Sequence, residues 1–189
     1  MLGRLLYAYG MAHSLMGTFA AVVLGLLVQE QILGVTRQPL PLVWPVMVLH
    51  VVVAQLSLPD LFGPIETVAD RSHVSRSIRA SFCLLLIAVG ATTYVAARGD
   101  RALLTFLLLL AALGFVAGAL VPIDPWAWTL GVGLLVVGVV FVTPEGTSVS
   151  SSLREVPVTM AAASTIVSAL GYAFQQQIAV GHRRPMRRR

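Results

Sequence analysis

Six long apolar stretches follow one another along the chain, separated by short clusters of arginine, aspartate, proline, serine and glycine. They run from about Leu5 to Val28, Leu40 to Leu58, Ile78 to Ala97, Ala102 to Val121, Trp126 to Val142 and Val156 to Val180. A bilayer core needs about 20 apolar residues per helix, with about 17–25 the usual range. Each stretch meets that length. The pattern therefore predicts an all-α polytopic membrane protein, a bundle of six transmembrane helices spanning residues 1–182, followed by a basic tail over residues 183–189. The sixth stretch is the least apolar, carrying Thr159, Ser164, Thr165, Ser168 and the run Gln175, Gln176, Gln177. A signal peptide is the competing reading of the first stretch, because Arg4 precedes Leu5 and Leu6. A signal's apolar region covers only about 7–15 residues, whereas this one continues through Phe19 to Leu27 without a convincing cleavage site, so it reads as a retained span.

Composition agrees with the pattern. Only 11% of residues are charged and 57% are hydrophobic, against about 25% charged in soluble domains. A disordered chain, a secreted disulfide scaffold and a cytosolic enzyme are thereby excluded. Cys83 is the lone cysteine, so neither an intramolecular disulfide nor a CxxC metal site exists. The net charge is +5, but five of the thirteen arginines fall between Arg183 and Arg189. Such a tail after a span points to anionic lipid rather than nucleic acid. With six spans, nine arginines lie on the side holding both termini and four on the other. Positively charged loops stay inside, so both termini are placed in the cytoplasm and the protein in the cytoplasmic (inner) membrane.

The connections differ in length. Pro122-Ile123-Asp124-Pro125 and Arg98-Gly99-Asp100-Arg101 are tight, whereas Ser57 to Ser77 is a long cytoplasmic loop. Within it, Gly63-Pro64 fits a helix start with Glu66 in the first turn. Ile65, Val68 and Ala69 share one face, and Glu66, Thr67, Asp70 and Arg71 occupy others. A short amphipathic helix follows from this spacing. It either docks on a soluble partner or simply joins two spans. Ser152 and Glu155 have capping-box spacing and predict a helix start leading into the last span, with Pro157 bending it or marking its first turn.

Small residues recur at four-residue spacing as Gly17, Ala21 and Gly25, as Gly114 and Gly118, and as Ser164 and Ser168. Such stripes let helix backbones approach within a bundle or against a second membrane subunit. His13 and His50 are the ionisable residues inside the predicted spans. Each lies about eight residues, or about 12 Å, from the cytoplasmic end. Equal depth on adjacent helices suits axial haem ligation or a metal, the alternative being two neutral imidazoles bonded to neighbouring carbonyls. No HExxH or GxSxG motif occurs, and absent lysine removes a P-loop and a Ser-Lys dyad. The reading is of a non-enzyme without a cofactor of its own.

The stretch Phe62-Gly63-Pro64-Ile65-Glu66-Thr67-Val68-Ala69-Asp70-Arg71, continuing through Arg79 into the third span, resembles small actinobacterial permease subunits of ABC-2-type transporters. Six spans, internal termini and an amphipathic element after the second span match that family's plan. The resemblance implies that this loop couples to an ATP-binding cassette subunit, with Glu66, Asp70, Arg71 and Arg76 at the contact and ATP hydrolysed in trans. It implies export of a hydrophobic or amphipathic substrate, with a second membrane subunit or a homodimer as further partners. The family has an amphipathic helix before its first span and is usually longer, which favours a compact or accessory subunit here. Two further readings stand beside it: an accessory protein stabilising another membrane complex, and a bis-histidine haem protein.

Overall fold

The computed structural model describes residues 11–28, 32–33, 40–58, 72–98, 100–120, 124–142 and 146–181. Helix α1 covers Met11–Leu27 and is joined to α2, Val43–Gln55, through a two-residue antiparallel ribbon of β1 (Ile32–Leu33) and β2 (Leu40–Pro41). Then follow α3 (Ser72–Arg98), α4 (Arg101–Leu120), α5 (Pro125–Val142), α6 (Gly146–Glu155) and α7 (Val158–Gly181).

The six predicted spans are corrected to three. Among the described residues, three helices are long and apolar enough to cross a membrane, over Arg76–Tyr94 in α3, Arg101–Leu120 in α4 and Val158–Gln175 in α7. Met11–Leu27, Val43–Gln55 and Pro125–Val140 are shorter apolar helices. The chain is an all-helical, multi-pass membrane protein. Apolar composition overcounted because it measures solubility in lipid and not continuity of the helix. The second stretch shows this best. Its first residues enter the ribbon, Pro45 is tolerated only because it sits in the first turn, and the helix ends at Gln55. Thirteen residues remain, about 20 Å at 1.5 Å per residue, against a hydrocarbon core of about 30 Å.

That short helix is nonetheless the hub. α2 packs against α1, α3, α4 and α5, and ten of its thirteen residues are buried. A helix apolar all round is one surrounded on all sides. Trp44 meets Phe106 with ring centroids 5.0 Å apart, and Met47, Val48 and Val51 complete a core with Leu107, Ala111 and Phe115 of α4. The largest helix interface joins α4 and α7. Thr165 donates to the Leu108 carbonyl at 2.8 Å, and Phe115 lies 6.1 Å from Tyr172. These pairs show α4 and α7 running in the same direction. Contacts of Trp44 with Phe106 and Gln55 with Ala111 give α2 that direction too, while α1, α3 and α5 run oppositely. The start of α1 and the end of α7 consequently lie at one end of the bundle.

Two connections differ from the sequence reading. The Ser- and Thr-rich stretch before the last span is largely the helix α6, resting on α4 and α5. Leu153 packs on the core while Ser151, Ser152, Arg154 and Glu155 are exposed. Ser152 and Glu155 therefore end a helix instead of starting one. The break falls at Pro157, whose carbonyl accepts from the Met160 and Ala161 amides and opens α7. Proline lacks the N–H that would have continued α6 through this point. The third span also begins earlier than its apolar limit, since α3 starts at Ser72 and draws Arg76 and Arg79 into the helix. Arg79 is fully buried.

Candidate functional site: a polar core around α2

In hydrocarbon, an unpaired polar group costs several kcal/mol, so the polar side chains on a buried helix and their partners mark where the bundle is specified. α2 carries His50 and Gln55 within it and Ser57 just beyond, all fully buried. His50 Nε2 lies 3.2 Å from the Leu86 carbonyl of α3. A carbonyl only accepts, so Nε2 carries the proton and donates, which leaves Nδ1 of the neutral ring as an acceptor. The Tyr94 ring stands edge-on to the imidazole, with centroids 6.0 Å apart. Tyr94 Oη in turn donates to the Ala21 carbonyl of α1 at 3.3 Å. Three helices are thus pinned around one histidine.

About a turn and a half further along α2, Gln55 repeats the arrangement with α4 and α5. Its Nε2 donates to the Ala111 carbonyl at 3.5 Å, and its Oε1 accepts from Thr129 Oγ1 at 2.5 Å. Thr129 is itself fully buried. Beyond Gln55 the helix closes. Ser57 Oγ donates to the Ala54 carbonyl at 2.8 Å, and Tyr172 Oη of α7 donates to the Leu58 carbonyl at 2.7 Å. The last carbonyls of a helix have no partner within it; those of Val52, Ala54 and Gln55 accept from the amides of Leu56, Ser57 and Leu58, and Tyr172 fastens the turn that these amides form.

Both polar side chains of α2 are seated on glycine. A Cβ on Gly90 would fall on the His50 imidazole, and one on Gly114 would fall on the Gln55 amide. Small residues in lipid generally admit a neighbouring backbone; here they admit a polar side chain to the carbonyls of the facing helix. Other predicted small positions have different neighbours. Gly17 faces Val53, Gly25 faces the Tyr94 ring, Gly118 faces Pro125 and Tyr172, and Ala21 is buried with its carbonyl bonded to Tyr94. Ser164 and Ser168 are half-buried, and the neighbouring Thr165 is the buried hydroxyl of that helix.

The equal depth expected for His13 and His50 is not observed. Tyr94 touches both His50 and Ala21, so His50 is level with Ala21, eight residues and about 12 Å along α1 from His13. His13 is exposed near the start of α1. With Nε2 of His50 bonded to Leu86 and faced by Gly90, that nitrogen has no open side for a porphyrin. Among the described residues no group of three or more His, Cys, Asp or Glu side chains is placed to hold a metal ion. Of the residues expected at a partner contact, Arg76 lies with its guanidinium carbon 5.9 Å from the centre of the Tyr172 ring. Glu66, Asp70 and Arg71 lie outside the described residues, as do the amphipathic segment after Gly63 and the arginine tail.

Gln55, Thr129, Gly90, Tyr94 and Tyr172 were missed by sequence reasoning confined to ionisable groups and glycine stripes. One signal was available for Gln55. An amide in an otherwise uncharged apolar run must find partners within the protein. We expect Thr129→Val to destabilise the bundle by about 0.5–2 kcal/mol, the range of interhelical side-chain bonds in membranes. Thermal unfolding in detergent measures it, and an unchanged midpoint would show that the Gln55–Thr129 bond contributes nothing.

Compared with protein-family models, curated proteins and solved structures, the chain matches none.

Proposed function

We propose that this protein is the membrane-spanning subunit of a transporter, of the ABC-2 permease type that its loop sequence resembles, acting with an ATP-binding cassette subunit in trans. The observation that carries this reading is α2 itself. A helix too short to span, buried on all sides and bonded to its neighbours through neutral polar groups on glycine seats, is a movable centre. Irregular or short helices buried in protein are where transporters place their substrate paths. His50 and Gln55 each bond to a carbonyl of a different helix, and exchanging such bonds between neighbouring carbonyls costs little compared with breaking an ion pair. The apolar core around α2, Met47 and Val51 packed with Phe115, suits a hydrophobic or amphipathic substrate once the helices part. On this reading Glu66, Asp70, Arg71 and Arg76 meet the ATPase, and the arginine tail sets both termini on the cytoplasmic side of an inner membrane, against anionic lipid.

The test is purification of the tagged chain from its native membrane in mild detergent. An ATP-binding subunit in stoichiometric amount is the expected result, and Glu66→Arg with Asp70→Arg should abolish its association and its stimulated ATP hydrolysis while leaving membrane insertion intact. A preparation free of any such subunit, under conditions that retain other membrane complexes, would overturn the proposal.

A second reading, an accessory protein bound to another membrane complex, is favoured by the outer face of α5. Trp128 and Leu135 are exposed there, and a Cβ at Gly131 or Gly138 would meet nothing. Ala127, Trp128, Gly131, Val132 and Leu135 line a groove of about 450 Å³. Recovery of a membrane complex without an ATPase, lost on Gly131→Leu, distinguishes this reading from the first.

A further inference from the structure

The polar core accounts for Nε2 of His50 but not for Nδ1. That atom is buried and has no hydrogen-bond partner, and the same is true of Ser14 Oγ and Thr18 Oγ1 on α1. Ser14 and His50 are fully buried, and Thr18 is 3% exposed. Buried polar atoms are almost always bonded, and those that are not call for a specific explanation.

These three atoms are not scattered. Ser14, Thr18, Ala21 and Gly25 form one buried stripe of α1. The stripe faces α2 and α3, because the Ala21 carbonyl and Gly25 both meet Tyr94 of α3, and Gly17 beside it meets Val53 of α2. His50 is level with Ala21, so Thr18 lies within about one turn of the imidazole and Ser14 one turn beyond. Several other hydroxyls in the bundle are bonded, although Thr105 Oγ1 of α4 is also buried without a partner. Thr92, Thr93 and Thr165 donate to carbonyls of their own helices. Ser14 and Thr18 instead present theirs to the junction.

We infer that the junction of α1, α2 and α3 binds water, with His50 Nδ1, Thr18 Oγ1 and Ser14 Oγ as the protein ligands. The chemistry of the donors selects this ligand. With Nε2 protonated against Leu86, Nδ1 requires a donor, and a hydroxyl accepts as readily as it gives. Buried waters typically make about three hydrogen bonds to otherwise unsatisfied groups, and since Ser14 lies about 10 Å along α1 from the level of the imidazole, more than one water spans the three atoms. A cation is disfavoured, since α1, α2 and α3 contain no aspartate or glutamate to balance its charge. An anion would need a cationic donor at the imidazole, but the histidine is held neutral by its carbonyl partner, and Arg79, the fully buried cation of α3, lies seven residues and about 10 Å along that helix from Leu86. Water bridging Thr18 to His50 would also link α1 to the α2–α3 pair by bonds that break and re-form readily.

Water-edited solid-state NMR on the full chain in liposomes tests this. His13, His73 and His182 are replaced by glutamine, so that a ¹⁵N-histidine label reports on His50 alone. The expected result is transfer of magnetisation from water to the imidazole of His50, lost when Thr18→Val and Ser14→Ala are combined, with a shift of the Nδ1 resonance. Thr18→Ser, which keeps the hydroxyl, should preserve the transfer. Absence of water transfer in the chain with Ser14 and Thr18 intact would overturn the inference without reference to any variant's folding. So would a resonance indifferent to both hydroxyls, which would mean that they turn back to carbonyls of α1.

Discussion

Replacing Gly114 with alanine is expected to destabilise the bundle by about 1–3 kcal/mol, the cost of leaving a buried amide unbonded. The added methyl would occupy the position of the Gln55 amide. Long polar side chains normally evade such a clash by rotating away. Gln55 is held at both ends of its amide, by the Ala111 carbonyl and by Thr129, so moving it breaks two bonds where no water replaces them. A thermal midpoint measured in detergent reports the loss. The control is Gln55→Ala in the same background. If the clash is the cause, the double variant loses less than the sum of the two single changes, a coupling expected only for residues in contact. Additive losses would place the cost in the α4 backbone and refute the seat described for Gln55.

Tyr172→Ala is expected to be the most damaging single truncation, at about 3–5 kcal/mol, as for other large aromatic residues removed from packed interiors. Tyr172 is 5% exposed and serves three neighbours at once. Its ring packs beside Phe115 and under Arg76, and its hydroxyl closes the end of α2 at Leu58. Tyr172→Phe separates these roles, removing only the hydroxyl and costing about 1 kcal/mol. Comparison of the two midpoints checks the division. Should Tyr172→Phe prove as damaging as Tyr172→Ala, the Leu58 bond and not the ring would be what holds α7 to the centre. In the transporter reading this residue matters further, because it bonds to Leu58 and stacks with Arg76, which flank the Glu66–Arg71 segment in sequence.

Much of the molecule was legible along the chain. Lipid imposes a simple rule, that backbone groups bond within the segment and side chains facing hydrocarbon carry no charge. α3, α4 and α7 obey it over whole spans, and their apolar runs located them to within a few residues. The break at Pro157 was readable for the same local reason, a missing N–H. Helix length in the second stretch was not. Its residues are as apolar as those of α4, and only the ribbon before Leu42 and the closure at Leu58 reduce it to thirteen residues. The closure depends on Tyr172, 114 residues further along the chain, and the ribbon on pairing of Leu40 and Pro41 with Leu33 and Ile32.

What the sequence by itself determined is membrane insertion, the helical class and the positions of the polar residues that lipid could not tolerate unpaired. Tertiary structure alone decided their partners. His50 is paired with Leu86 and Tyr94 rather than standing level with His13, and Gln55 with Thr129, because the register between antiparallel helices is set by packing along their whole length. Gly114 reads like any small residue in a stripe and Gly90 belongs to none, yet each is the seat of one polar side chain from α2. Composition and periodicity record what a position excludes. Which neighbour it admits is fixed only when the helices meet.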